Sequence, residues 1–292
     1  MSNYEHKISN HWINRDNYKN LMTTLERGGA SVDDLDIDKL SSRDQMHAGL
    51  LDATKTFVEW IDLKPGSSVL DLGSGLGGSA RFLASACNAA VTAVDLCPEL
   101  NEAAARITRH LGLDDMIDHH CMDVTAPCDL KTGGFDLVWI QHVDMQVANK
   151  SDLYTCAAEH LAKGGRIVWH DWLAGPGGPV IWPLFWSTDG EISFLADREE
   201  FTNLLKSSGL EITRLEPIPD LTTSWFEKSR LGLSRVISKM RLSGSNSAKL
   251  HSFEALATEV DNALINIKEE RLIPFFGEAC PYENISARRT VA

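Results

Sequence analysis

The run VLDLGSGLGG constrains this chain more than any other ten residues. It reads as a buried strand ending near Asp71, a turn through Gly73, Gly75, Gly77 and Gly78, and the start of a helix. Glycines let the backbone turn sharply and let a ligand approach where a Cβ would stand in the way. The helix N-terminus that follows favours an anionic group. Strand, glycine turn and helix together open a βαβ unit, so the expected fold is α/β.

The rest of the chain continues the alternation. AAVTAVDL is followed by a helix from Pro98 through His110, and FDLVWI by a helix from about Ser151 to Ala162. GRIVWHDW follows, and a helix near Arg198 to Ser208 leads into LEITRLEPI. The pattern predicts a Rossmann-like, doubly wound, mostly parallel seven-stranded sheet. Residues 10 to 62 read as two or three helices, giving an N-terminal helical cover over 1–62 and a core over 63–292. A helical insertion at about 224–272, broken by SGSNS at 243–247, precedes the last strand, which the segment ENISARRTVA could supply. With 292 residues the chain suits one large α/β domain plus that cover.

Composition narrows the partners. A net charge of -13 opposes a nucleic-acid footprint, since the only basic cluster is Arg288 with Arg289. The six cysteines form no C-x-x-C pair and no Cys/His ligand spacing, so reduced thiols and no metal are expected. MSNYEHKISN carries no signal pattern and no apolar run approaches a membrane span, which places the protein in the cytoplasm without a membrane partner. The helical ends could pair two copies as a homodimer, but no stretch specifies an interface.

Gly73, Gly75 and Gly78 also satisfy the G-x-G-x-x-G spacing of a dinucleotide site, with Asp95 about twenty residues on. The glycines alone therefore leave NAD open. Three features favour S-adenosylmethionine. Asp71 stands two residues before the first glycine, where a dinucleotide strand is normally apolar. Asp123 in HHCMDV lies just past a third short strand, placed to accept from an adenine amino group. FDLVWIQHV and HLAKGGRIVWHDW then supply a fourth strand, a helix, a glycine turn and a fifth strand.

On these residues the chain resembles the class I S-adenosylmethionine-dependent methyltransferases. Within them it is similar to the small-molecule branch that includes sarcosine/dimethylglycine and tocopherol methyltransferases. The resemblance runs over roughly residues 44 to 225 and includes D-x-x-H-x-G at Asp44, His47 and Gly49, DLGSGLGGSARFLA, VDL, QHVDM, KGGR and GPVIWP. Lys163 departs from it, where the family usually has proline. The resemblance implies that Asp71 and the Gly73, Ser74 and Gly75 backbone meet the methionine part of the cofactor. It further implies that Asp95 holds the ribose hydroxyls, that Leu96, Met122 and Asp123 form the adenine pocket, and that Gln141 and His142 face the sulfonium.

Methyl transfer is an in-line displacement at a carbon already activated by the sulfonium, so positioning supplies much of the catalysis. A protonated acceptor would be served by a base, for which His142 and His170, each near a strand's carboxyl end, are the candidates. His47 is a candidate on the substrate side. Trp172, Trp182 and Trp186 are candidates to face a fixed positive charge through their rings, against the plainer reading that they are core. The reading that follows is N-methylation of a small amine or amino acid. S-methylation of a thioether, O-methylation of a small natural product, an NAD-dependent oxidoreductase and a non-catalytic cofactor-binding protein are the alternatives.

Overall fold

The computed structural model describes residues 3–15, 43–125, 134–244 and 247–282, with Leu21, Thr23, Leu40 and Leu130 as single positions. Seven strands form one sheet in the order β3-β2-β1-β4-β5-β7-β6. They are β1 (Ser68–Leu72), β2 (Ala90–Asp95), β3 (Ile117–Cys121), β4 (Phe135–Gln141), β5 (Leu161–Ala174), β6 (Leu210–Pro217) and β7 (Leu272–Pro281).

β1 to β5 are parallel, whereas β7 runs antiparallel to both β5 and β6. The sheet is therefore mixed rather than purely parallel. The cause lies in the connection: the helices Pro219–Ser243 and Ser247–Lys268 fold back on each other between β6 and β7. A helical hairpin returns the chain to the side it left, so the next strand enters against its neighbours, whereas a single crossover helix would bring it in parallel. The insertion occupies 219–268, a little earlier than the 224–272 expected, and the last described strand is β7. ENISARRTVA, Arg288 and Arg289 lie outside the described residues, as does Cys128.

Order along the sheet reverses between β1 and β4, which both leave their carboxyl ends at the same edge. Open α/β sheets bind ligands in the crevice at such a switch point. Two apolar layers flank the sheet. One gathers Leu70, Leu72, Val138, Ile140 and Trp169 from the strands with Tyr154 and Phe201, and the other gathers Val69, Val91 and Trp139 with Phe57, Leu83 and Trp225. Strands buried on both faces read as near-continuous apolar runs, as VLDL and FDLVWI do.

Of the N-terminal cover, the described parts are the helix Asn3–Ile13, which crosses the carboxyl edge of the sheet, and the helix Leu50–Ile61, which packs on the second layer. Among the described residues no helix is long and apolar enough to cross a membrane.

Candidate functional site

A cavity of about 260 Å³ opens at the switch point. Its floor is the turn after β1. Gly73 and Gly75 hold φ of 77° and 54°, in the left-handed region. A Cβ on Gly73 would also stand 2.2 Å from Val143 Cγ2. The Gly73 and Ser74 amides both donate to the Val94 carbonyl, at 2.8 and 2.9 Å. Gly75 N donates to Asp95 Oδ2 at 2.7 Å, and Cys97 N to Asp95 Oδ1 at 2.9 Å. These amides bind the turn to β2, so what the turn offers a ligand is chiefly the Asp71 carboxylate.

Asp71 is 2% exposed, lines the cavity and leaves Oδ2 buried without a hydrogen-bond partner. Burial, followed by the neighbouring Asp95, pushes its pKa up to about 7. A carboxylate in that condition is stabilised by an arriving cationic donor. Burial also raises Asp95, against the two backbone amides that lower it.

Asp44, His47 and Gly49 occupy one connected stretch with separate tasks. Asp44 pairs with fully buried Arg81 at 2.8 Å, which ties the stretch to the helix Gly78–Cys87 that follows the glycine turn. Gly49, at φ 79°, begins the helix Leu50–Ile61 where a Cβ would strike the Trp225 ring at 2.5 Å. His47 is thereby delivered into the cavity wall.

Gln141, at the end of β4, is the hub of the polar wall. Its Oε1 accepts from Ser79 Oγ at 2.7 Å, Trp139 Nε1 at 3.1 Å and Thr54 Oγ1 at 3.4 Å. Its Nε2 donates to His170 Nδ1 at 3.1 Å and lies 3.3 Å from His47 Nδ1. His170 Nδ1 is then the acceptor of its ring. The Nε2 atoms of His142 and His170 are buried without partners. The three rings cluster, with centroids 4.6 Å apart for His142 and His170 and 5.9 Å from each to His47.

Burial pulls His47 down to about pKa 4. Burial first, and then the neighbouring imidazoles, hold His142 and His170 well below the usual range. The cluster is uncharged at neutral pH, which makes each ring a hydrogen-bonding group and a weak base.

His142 has φ 56°, unusual for a side chain of that size. The loop that imposes it is held by Asp171, fully buried, whose carboxylate accepts from the amides of Val143 and Asp144 at 2.8 Å and of Trp172 at 2.9 Å. Asp144 in turn accepts from Tyr154 Oη at 2.6 Å and from Lys150 Nζ at 3.1 Å. Strain at one residue persists when its surroundings over-determine it in this way.

Asp71, Gly73, Ser74, Gly75, Asp95, Leu96, Asp123, Gln141, His142 and His47 all line the cavity. Asp123 Oδ1 also caps its own loop, accepting from Thr125 N and Oγ1 at 2.8 Å each. The structure leaves the others outside the lining. Met122 packs on the first apolar layer, and His170 stands behind Gln141 and His142. Trp172 and Trp186 stack at 5.6 Å in a buried cluster that also holds part of Trp182. Trp172 comes within 5.7 Å of the His142 ring.

The roof was not legible in the sequence. Tyr4, Glu5, Ile8 and Trp12 of the helix Asn3–Ile13 close the cavity. Trp12 Nε1 donates to Gln146 Oε1 at 2.9 Å, His11 Nε2 lies 2.7 Å from the Phe185 carbonyl, and Arg15 grips Glu259 at 2.7 and 3.1 Å. Tertiary pairings across such separations leave no local periodic trace.

The folds of solved proteins agree with this architecture. Haemonchus contortus phosphoethanolamine N-methyltransferase 2, in complex with S-adenosyl-L-methionine, superposes at a TM-score of 0.72 with 17% identity, over 96% of this chain and 60% of that one. Geranyl diphosphate C-methyltransferase from Streptomyces coelicolor A3(2) superposes at 0.67 with 17% identity, over 96% and 98%. Residues 69–165, from β1 to the turn inside β5, match the family described as methyltransferase domain.

Over residues 69–165 the chain is thus similar to a methyltransferase domain.

The chain shares 29% identity over 131 residues with phosphoethanolamine N-methyltransferase 1 of Arabidopsis thaliana, which is 45% of this chain and 26% of that protein. It shares 32% over 145 residues with sarcosine/dimethylglycine N-methyltransferase of Halorhodospira halochloris, 46% of this chain and 50% of that protein. The chain thus spans between about a quarter and a half of the length of these two curated relatives.

Proposed function

We propose that the chain is an S-adenosylmethionine-dependent methyltransferase acting on the nitrogen of a small metabolite. The observation that carries this reading is Asp71, buried, raised toward neutrality and with one oxygen unpartnered, beside a turn whose own amides are already used. A dinucleotide pyrophosphate would need those amides and would be repelled by Asp71. A methionyl ammonium group would satisfy it.

In this reading Asp71 holds the ammonium group, Asp95 the ribose hydroxyls, and Leu96, Met122 and Asp123 the adenine. When bound, S-adenosylmethionine supplies a methyl group activated by its sulfonium. Gln141 and His142 border that end of the cavity, and His47 and His142 face the acceptor. His170 fixes their arrangement from behind, and Trp172, Trp182 and Trp186 brace the wall, with Trp172 reaching the acceptor side through His142. The roof helix excludes water from the charge-dispersing displacement. The helical cover over 1–62, the core over 63–292 and a cytoplasmic location belong to the same reading.

Calorimetry with S-adenosylhomocysteine and, separately, NADH tests the cofactor, and tight binding of NADH alone would overturn the proposal. Incubation with methyl-labelled S-adenosylmethionine and a panel of amines, thioethers and phenols, read by mass spectrometry, tests the acceptor atom. Label on sulfur or oxygen alone would replace nitrogen in the reading.

A further inference from the structure

Two buried side chains that border the cavity leave opposite halves of a hydrogen bond unmade. Asp71 Oδ2 is an acceptor without a donor, and Gln45 Nε2 is a donor without an acceptor, among the described residues. Both residues are 2% exposed and both line the cavity. Buried polar groups are rarely left in this state, and at a cavity wall they mark what a ligand completes.

The Gln45 amide has a defined direction. Thr54 Oγ1 and Ser79 Oγ donate to its Oε1 at 3.3 and 3.5 Å, and His47 Nε2 lies 2.8 Å from the same oxygen. The oxygen is occupied, and the NH2 group is turned to the start of the helix Gly78–Cys87. A Cβ on Gly78 would stand 2.7 Å from Gln45 Nε2 and 2.8 Å from the Asp44 carbonyl, so glycine at that position makes room for the amide. The Asp44–Arg81 ion pair, three residues further along the helix, holds the stretch in place. The leading amides of a helix lack intrahelical acceptors and favour an anion. The Gln45 donor and the end of the helix therefore point to the same kind of group.

Asp71 Oδ2 suits a cation and Gln45 Nε2 suits an anion, within one cavity. A zwitterionic amino-acid end satisfies both at once. We propose that Gln45 is a cofactor-binding residue whose Nε2 donates to the methionyl carboxylate, while Asp71 takes the ammonium group of the same amino-acid end. The inference rests on the methyl-transfer reading above and supplies the partner of the carboxylate, which that reading leaves open.

The test compares S-adenosylhomocysteine with S-adenosyl-3-thiopropylamine, which lacks only the carboxylate, by isothermal calorimetry. The native chain is expected to bind S-adenosylhomocysteine more tightly by about tenfold or more. Equal affinities overturn the proposal. Gln45→Met is expected to weaken S-adenosylhomocysteine by about tenfold and the amine analogue by no more than about twofold, which closes the gap between them. A variant that weakens both ligands alike leaves the gap open and makes Gln45 a support of the wall only, which overturns the proposal. An unchanged affinity for S-adenosylhomocysteine overturns it too, whether or not the KM of an acceptor rises. Gln45→Asn draws the amide back by one methylene and keeps its polarity, and it should show the same selective loss where Gln45→Met does not fold. Failure of both ligands to bind the native chain is a different result, which sinks the methyl-transfer reading as well.

Discussion

His142, one residue past the end of β4, and His170, inside β5, face each other with ring centroids 4.6 Å apart, and the His142 amide donates to the His170 carbonyl at 2.9 Å. Two adjacent strands thus present two uncharged imidazoles side by side, joined through the backbone as well as through packing. A proton on either ring would be buried next to the other.

That arrangement sets a pH dependence of stability. His47, His142 and His170 have folded-state pKa values below the unfolded value of 6.5, His47 at about 4. The unfolded chain therefore binds more protons between pH 6.5 and about 4, and each histidine costs about 1.4 kcal/mol per pH unit as the pH falls through that window. Asp71 and Asp171, both raised to about 7, act with the opposite sign, since the folded state then holds their protons. Urea unfolding of His170→Phe against the native chain at several pH values isolates one histidine. The difference between the two should shrink by about 1.4 kcal/mol per unit on acidification from pH 6.5.

Asp71 gives a second, independent signal. With a pKa of about 7, roughly half of its carboxyl groups carry a proton at pH 7, and an ammonium group placed against it returns it to the ionised form. Binding of S-adenosylhomocysteine at pH 7 should release about half a proton. Calorimetric enthalpies measured in buffers of different ionisation enthalpy would show this, and Asp71→Asn should remove the buffer dependence together with most of the affinity.

Gly73→Ala places a methyl group 2.2 Å from Val143 Cγ2 at φ 77°. Backbone strain and overlap together should destabilise the fold by about 3 kcal/mol. Gly75→Ala would meet only Met46 Sδ, at 3.2 Å and φ 54°. Thermal unfolding should rank Gly75→Ala as the milder of the two.

Asp171→Ala strips an acceptor from the amides of Val143, Asp144 and Trp172 and should cost about 3 kcal/mol of stability. Asp171→Asn retains one carbonyl oxygen and should fold better. In that variant the loop carrying His142 loses part of its anchorage, so a rise in acceptor KM with unchanged S-adenosylhomocysteine affinity is the expected kinetic result.

Much of the cavity floor was legible because it is local. Asp71, the glycines and Asp95 lie in one βαβ unit, where turn chemistry dictates spacing, and they meet as that spacing implies. The walls and roof were less legible. QHVDM marked His142 but not Asp171, whose role emerges only when β5 lies beside β4. Trp172, Trp182 and Trp186 stood out as a dense aromatic stretch, yet aromatic density is equally what a buried cluster needs, and the structure buries Trp172 and Trp186 completely enough that neither ring borders the cavity. The direction of β7 could not be read from its own residues, because it is set by the number of helices preceding it.

The latching of the helix Asn3–Ile13 bears on timing. Its fastenings reach Gln146 of the β4 loop, the Phe185 carbonyl, Glu191 and Glu259 of the inserted hairpin, so it spans three separate parts of the molecule. Arg15→Ala, which frees the chain just past this helix from the hairpin, is therefore expected to quicken the release of bound S-adenosylhomocysteine in a stopped-flow displacement measurement.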